Sequence, residues 1–486
     1  MAGTAIFWFR RDLRLADNTG LLRALAEAAS VQPVFVFDTT ILAGLPRQDR
    51  RVDFIHRSLQ ALHETLQTCG GGLRVVHGDP VRELPALARA LKADVVYCND
   101  DYEPAAVARD AAVESALNAM DVRFERSKDA VVFARDEVLT QQRKPYTVFT
   151  PYRKAWFARL KAEPLADLDT LRAEPLAALH KRLAPSRGGQ LPSLADLGFE
   201  TTDLDALGVV AGTTGAEAAL QQFLQHAIGE YPTDRDIPGT EGTSRLSLHN
   251  RFGTLSIRRL VAEAQAHAHD HPRHAEACTT WISELAWRDF FFQILHHHPH
   301  VAEGPFKTVY EHLAWENDDA LFAAWCEGRT GYPIVDAAMR QLVETGFMHN
   351  RLRMVAASFL TKDLLIDWRR GEAFFALHLL DYELACNNGN WQWAASTGCD
   401  PQPYFRVFNP ARQSERFDPE ARFIHAYLPA LRAVPADYLH EPAKHAKVLA
   451  RHGVVLGKDY PEPVVEHAER ARRAVRLFEL ARQSAE

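Results

Sequence analysis

Five short apolar runs separated by amphipathic stretches fill the first 130 residues, and no other feature limits the fold as strongly. The runs are Ala5–Phe9, Pro33–Phe37, Leu73–Val76, Val95–Tyr97 and Val122–Phe124. They are rich in β-branched and aromatic side chains, as strands buried on both faces are. Between them Gly20–Ala28, Val52–Thr68, Pro80–Leu91 and Ala105–Ala119 carry helical spacing. This alternation predicts an α/β domain over residues 1–130, a doubly wound parallel sheet with helices on both faces. The first strand-to-helix turn reads Phe9-Arg-Arg-Asp-Leu-Arg14. A dinucleotide turn needs glycines there so that backbone can approach a pyrophosphate. The standard NAD or FAD fingerprint is absent from this domain.

From 131 to 212 the periodicity weakens and breakers gather, as in Pro185-Ser-Arg-Gly-Gly-Gln-Leu-Pro192. A long connection between domains is predicted. Residues 213–486 change character. Helical patterns at Leu255–His269, Thr280–His297, Tyr332–Thr345, Asn350–Ile366 and Glu372–Leu380 predict a large all-α C-terminal domain with room for a cofactor. No apolar run approaches the roughly 18 residues that cross a bilayer, so no membrane partner is expected. The six Cys include no CxxC pair, which indicates neither a disulfide framework nor a thiolate zinc site. A strand-like run begins at Ala5, with Arg10, Arg11 and Arg14 beyond it, leaving no room for a secretion signal; a cytoplasmic location is expected. The net charge of −7 opposes indiscriminate nucleic-acid binding but permits a local basic site.

Four stretches carry chemistry. Thr243-Ser-Arg-Leu-Ser247 follows Gly242 and offers hydroxyls, backbone N–H groups and a cation suited to a phosphate, or equally a Ser/Thr helix cap. On one helical face Trp281, Glu284, Trp287 and Arg288 would lie together, as a functional face or a charge-paired packing face. His349-Asn-Arg-Leu-Arg-Met354 places an amide, guanidinium groups and a thioether within a turn or so, able to read a base edge and a phosphate or to serve as a solvated helix start. Asp381 to Trp393 packs carboxylates, three Asn and two Trp together. The interval Arg340–Arg416 holds nine Lys/Arg against eight Asp/Glu, near neutral in an acidic chain, as a selective nucleic-acid face would be. His296-His-His-Pro-His300 cannot converge on one ion and has no supporting carboxylate motif, so no metal is assigned.

Together these stretches resemble the photolyase/cryptochrome family, most closely its class I cyclobutane pyrimidine dimer branch. The likeness opens at Phe7-Trp-Phe-Arg-Arg-Asp-Leu-Arg-Leu15 and continues through Glu241–Ser247, Gly331–Arg340 and His349–Met354. It ends with Asn387-Asn-Gly-Asn-Trp-Gln-Trp-Ala-Ala-Ser-Thr-Gly398 and Pro403-Tyr-Phe-Arg406. The resemblance implies FAD in the helical domain, active as reduced FADH−, which accounts for the missing glycine turn. It implies that Tyr231, Thr243, Ser244, Arg245, Leu246 and Ser247 hold phosphates and sugar, with Trp281 and Arg288 lining the pocket. Asp381, Tyr382 and Glu383 would lie along the ribityl and adenine side, with Arg353 paired to Asp381. Asn387 would face flavin N5, where a neutral amide favours reduced forms without imposing a fixed charge. Plant-type cryptochromes resemble this pattern with Asp there and insect ones with Cys, so Asn387 points to repair.

The same resemblance assigns the lesion. A dimer flipped from UV-damaged DNA would meet Glu284, Trp287, Asn350, Arg351, Met354 and Trp393, with Arg235, Arg351, Arg406 and Gln413 at the backbone. Trp391, Trp368 and Trp315 would pass a hole from flavin to surface. The function implied is light-dependent splitting of cyclobutane dimers by a monomeric lyase. A cryptochrome-like photoreceptor and a (6-4) photolyase are the alternatives. The first usually carries a long C-terminal extension, for which little room remains after Pro463–Arg482; the second uses His where Asn350-Arg351 stand. A dark flavin oxidoreductase is opposed by the lack of a nicotinamide motif. Family members that bind antenna folate often use an Asn–Glu pair, and Ala105 and Ala106 replace it here. The second chromophore is left open between a deazaflavin, folate held otherwise, another flavin, and none.

Overall fold

The computed structural model describes residues 2–185 and 191–483; Ser186–Gln190 of the predicted breaker run lies outside the described residues. The chain divides into two compact units. One comprises Met1–Pro145, Pro151–His226 and Ser244–His296, the other Tyr146–Thr150, Ala227–Thr243 and His297–Glu486.

The first unit is built on β1 (Ala2–Phe9), β2 (Ala28–Asp38), β3 (Arg74–Gly78), β4 (Val95–Asn99) and β5 (Arg123–Ser127). The order is β3-β2-β1-β4-β5 and every pair is parallel, a doubly wound sheet. Alternate residues divide between its faces. Ile6, Trp8, Val34, Val36 and Val96 join Leu84, Leu87 and Val113 in one core, while Phe7, Phe9, Phe35 and Tyr97 are buried on the other side. Asn18, Asp49 and Asp79 each cap a helix by accepting a backbone N–H.

Where a glycine turn would stand, the loop after β1 is held by polar side chains. Asn99 Nδ2 donates to Asp12 Oδ2 at 2.5 Å and to Asn18 Oδ1 at 2.8 Å, while Asn99 Oδ1 accepts from Gly20 N at 2.8 Å. A Cβ on Gly20 would come within 2.7 Å of that oxygen, so backbone and amide meet only because the side chain is absent.

The unit boundaries differ from the expected partition at 131 and 213. Helices Gly212–His226, Ile257–Asp270 and Ala275–His297 belong, all but the last residue, with the sheet. Bonds of long sequence separation draw them there, which no local pattern reveals. Leu13 N donates to Phe252 O, Arg14 Nη1 to Gly253 O, and Val132 N, Phe133 N and Trp156 Nε1 to Asp289 Oδ2. The stretch read as a connection also holds helices Phe149–Ala162, Leu168–Arg172 and Leu176–Arg182. Tyr152, Trp156 and Leu160 are buried at four-residue spacing, a helical signal outweighed by the prolines around it.

In the second unit, Pro333–Thr345, Asn350–Ser358, Trp368–His378 and Leu384–Ala395 surround a core that includes Trp325, Leu342, Val355, Trp368, Phe375 and Trp391. The helix expected over Asn350–Ile366 is α-helical only to Ser358; Phe359–Asp363 widens into a π turn. Within it the Lys362 ammonium is buried, donating to Ala395 O and Ser396 Oγ. Burial pushes its pKa well down. Among the described residues no helix is long and apolar enough to cross a membrane.

Two packing features carry measurable consequences. Arg14 Nη2 donates to both Asp129 oxygens at 2.8 Å, and Arg258 Nη2 to one of them at 2.8 Å. Burial would raise that carboxyl, but the two guanidinium groups outweigh it and hold the pKa at about 2. Asp129→Asn is expected to cost about 3 kcal/mol or more, by leaving the buried Arg14 guanidinium without its carboxylate, while Arg258 keeps Asp17 at 2.9 Å. The folded pKa lies below the usual 3.8, so the ionic contribution is complete above about pH 4 and fades as pH falls through 2. Urea melts of the two proteins should therefore converge over that window. In the other unit, a Cβ on Gly371 would lie 2.2 Å from Trp391 Cη2 and 2.4 Å from Leu360 Cδ2. Gly371→Ala should cost about 1–3 kcal/mol by overpacking and alter the near-UV circular dichroism of Trp391.

Candidate active site

A cavity open to solvent, about 530 Å3 with the solvent space at its mouth included, lies within the second unit. Helix Asn350–Ser358 contributes Asn350, Arg353, Met354 and Ala357, which share one face by their 3–4 residue spacing. Phe375 and Leu379 come from the next helix and its end, and Asp381, Tyr382 and Glu383 from the turn that follows. Helix Leu384–Ala395 adds Cys386, Asn387, Asn390 and Trp391. One wall is aromatic and apolar, another polar, as a site for a flat, substituted ring system requires.

The polar groups are tied to one another. Arg353 Nη2 donates to Asp381 at 2.9 and 3.1 Å, and its Nε to Met348 O at 2.8 Å. Cys386 Sγ donates to Glu383 Oε2 at 3.2 Å. Asn387 Nδ2 donates to Glu372 Oε1 at 2.8 Å and Glu372 O at 3.2 Å. Burial raises the Glu372 carboxyl, against the effect of its hydrogen bonds from Asn387 and Tyr382. Trp391 stands edge-on to Phe375 at 4.9 Å and to Trp325 at 6.1 Å. Its indole Nε1 is buried and meets no acceptor among the described residues. A flavin fits this set: planar walls, an amide aimed from a fixed partner, and a buried N–H awaiting an acceptor.

Of the other predicted residues, several lie in this unit outside the cavity lining. Trp368 is buried in the same core as Trp391, and Trp315 is half-buried against Phe478 at 6.1 Å. Trp393 is half-buried, Arg406 is exposed, and Gln413 is half-buried on helix Pro410–Phe417. Arg235 stacks over buried Tyr231 at 5.3 Å. Arg351 does not share the face of Arg353. Its Nη2 donates to Asp236 at 2.8 Å and its guanidinium lies over Phe417 at 4.2 Å.

The rest belong to the first unit, apart from Thr243 at the division. Trp281 is buried against Phe223, while Glu284 and Trp287 are half-buried on the same helix, Trp287 stacked with Phe291 at 5.5 Å. Arg288 donates to Ala130 O and covers the Phe292 ring at 4.5 Å. The hydroxyls of Thr243–Ser247 do not cap the helix that follows: Ser247–Phe252 starts after Leu246 without a side-chain cap, and Ser244 Oγ accepts a long 3.4 Å bond from Leu246 N. Arg245 takes a left-handed φ of 51°. Ala105 and Ala106 fall in the first turn of helix Pro104–Asn118 and offer neither amide nor carboxylate, so a folate held by an Asn–Glu pair does not fit there. Among the described residues, no group of three or more His, Cys, Asp or Glu is arranged to hold a metal ion.

Sequence reasoning missed Glu372 and Cys386. Glu372 meets Asn387 across two helices, 15 residues away, a distance no short motif spans. Cys386 sits inside a quoted motif but carries no spacing signal.

Residues 5–172 match the model of the DNA photolyase domain, and 281–480 that of the FAD binding domain of DNA photolyase. The deoxyribodipyrimidine photo-lyase of Synechococcus sp. is 42% identical over 98% of this chain and 97% of its own. A bacterial class III photolyase from Agrobacterium tumefaciens superposes with a TM-score of 0.88 at 32% identity, over 99% of this chain and 98% of that one. A Synechocystis cryptochrome gives 0.87 at 28% identity, over 98% and 99%. With both domains matched in order and a relative aligned nearly end to end, the chain belongs to the DNA photolyase family.

Proposed function

We infer that this chain is a light-driven carbon–carbon lyase that splits cyclobutane pyrimidine dimers in UV-damaged DNA, working as a monomer in the cytoplasm. The observation that carries the reading is the cavity in which Asn387, the Arg353–Asp381 pair, Trp391 and the Asn350–Met354 face converge. Bound reduced FAD supplies the photo-excited electron that opens the cyclobutane ring and is afterwards recovered.

The chain's own groups bind and orient. Arg353 and Asp381 neutralise each other at the cavity wall, with the carboxylate mostly buried. They offer hydrogen bonds there without an uncompensated charge. Asn387, on the cavity wall, would address the redox-active edge of the flavin with an uncharged amide. Asn350 and Met354, which line the cavity, would meet the flipped dimer, an amide for a carbonyl edge and a soft thioether for the ring face. Glu284 hydrogen-bonds the lesion, while Trp287 and Trp393 pack against it. Arg235, Arg351, Arg406 and Gln413 meet the strand, Arg351 by exchanging Asp236 for a phosphate. Tyr231, Thr243, Ser244, Arg245, Leu246, Ser247, Trp281, Arg288, Tyr382 and Glu383 complete the cofactor's surroundings, and Trp391, Trp368 and Trp315 carry a hole outward. Trp391 and Trp368 are buried and Trp315 is half-buried, which supports Trp315 as the outer end. Six free cysteines suit a reducing compartment.

Illumination of the reduced protein with oligonucleotides bearing either lesion tests the reading. Restoration of the cyclobutane dimer alone supports it. Restoration of the (6-4) lesion alone transfers the assignment, and turnover of neither, with FAD bound, favours a photoreceptor. Glu284→Ala should slow dimer splitting about ten- to a hundred-fold, the range for losing a hydrogen bond to a developing charge, with FAD content unchanged. Trp315→Phe should abolish photoreduction of oxidised FAD while pre-reduced protein still repairs. Steady-state bleaching under blue light separates the two.

A further inference from the structure

Helix Ile257–Asp270 ends on a group of histidines that take no part in the cavity. His267 follows the buried Glu263 and Ala264 by four and three residues, so it stands on the inward face of the helix and is half-buried. Four residues on, His271 closes the helix, its N–H donating to His267 O at 2.8 Å. Pro272 opens a short 3-10 turn, Pro272–His274, and His274 N donates back to His271 O at 2.8 Å. That turn returns the third ring to the first. The rings of His267 and His274 lie within 9° of parallel with centroids 5.3 Å apart, and His267 Nε2 stands 3.0 Å from His274 Nδ1. The exposed His271 ring stacks on His267 at 4.3 Å.

Two imidazole nitrogens that face each other this closely can hold one proton between them or one metal ion. Nitrogens bound to a common ion at about 2.0–2.1 Å stand about 2.9–3.4 Å from each other, and the observed 3.0 Å falls in that interval. We propose that His267 and His274 form a two-ligand chelate for a divalent late transition ion of the class that imidazole prefers, such as Ni2+, Zn2+ or Cu2+, with water completing the coordination. The ion takes the place of the shared proton. A small rotation of each ring turns the two lone pairs from one another toward a common point, and the ring that donated passes to its other tautomer by exchange with solvent, so the pair loses no net proton. His271 contributes a ring face rather than a ligand, and its stacking limits how far His267 can swing. Helix Ala275–His297 begins at the next residue and carries Trp281, Glu284 and Trp287. An ion held at the turn therefore ties the end of one helix to the start of the other.

The test is calorimetric titration of the full, untagged, chelator-treated chain with Ni2+, together with its melting temperature. The wild-type chain should show a tight class of one ion per chain and a higher melting temperature with Ni2+, because the paired rings exist only in the folded state. His267→Gln and His274→Gln should each weaken that class about a hundredfold, the advantage of two linked contacts over one. His271→Gln should retain it. The double variant His298→Gln/His300→Gln, in the other histidine-rich stretch, should give the wild-type titration and the wild-type melting shift. A wild-type chain that binds no Ni2+, undiminished binding in His267→Gln or His274→Gln, or loss of the tight class in His271→Gln or in the double variant overturns the assignment. Should a Gln variant fail to fold, amide exchange of the wild-type chain decides: Ni2+ should slow exchange over residues 267–276, and slowing over 296–300 instead, or nowhere, overturns it as well.

Discussion

Two adjacent residues on one helix fix the cavity. Gly371 has no Cβ, which lets the Trp391 ring pack against its backbone, and Glu372 beside it holds the Asn387 amide. Both partners lie on helix Leu384–Ala395, four residues apart and therefore on the same face. The aromatic wall and the oriented amide are thus set by one helix–helix distance. A change in that spacing would move a ring and a hydrogen-bonding group together. Cavities that bind planar cofactors depend on such coupling, because a ring must be stacked and its edge addressed at once.

Charge in the cavity follows a similar logic. Arg353 and Asp381 pair with each other, and Asn387, which lines the same cavity, carries no charge. An electron leaving and returning at this site would be trapped or expelled by a fixed ion beside it, since electrostatic interactions strengthen as water is excluded. Neutral, oriented dipoles favour one protonation pattern without that penalty.

Much of this was legible in the sequence, and what was not has physical causes. The five apolar runs became five parallel strands; central β4 is buried throughout, which demands continuous apolar character, while the edge strands β3 and β5 are partly exposed and carry shorter runs. Arg353 and Asp381 came from a motif likeness, and they meet in space. Arg351 and Arg353 look alike in sequence, yet one turns to Asp236 and Phe417 and the other to the cavity, a matter of helical phase. The compact units divide the chain elsewhere than at 213, with Arg14, Leu13 and Asp289 bonding across more than a hundred residues. Tyr152, Trp156 and Leu160 hid a helix among prolines. Glu372 was invisible because its role exists only where two helices touch.

The account depends on light absorbed by reduced flavin in that cavity, and the action spectrum measures this most directly. Dimer-splitting rates, taken at a series of wavelengths under limiting light with the FAD-loaded, pre-reduced chain, should follow the absorption of the bound reduced flavin and fall to zero in the dark. Splitting that proceeds in darkness, or a spectrum that ignores the reduced flavin, would contradict it.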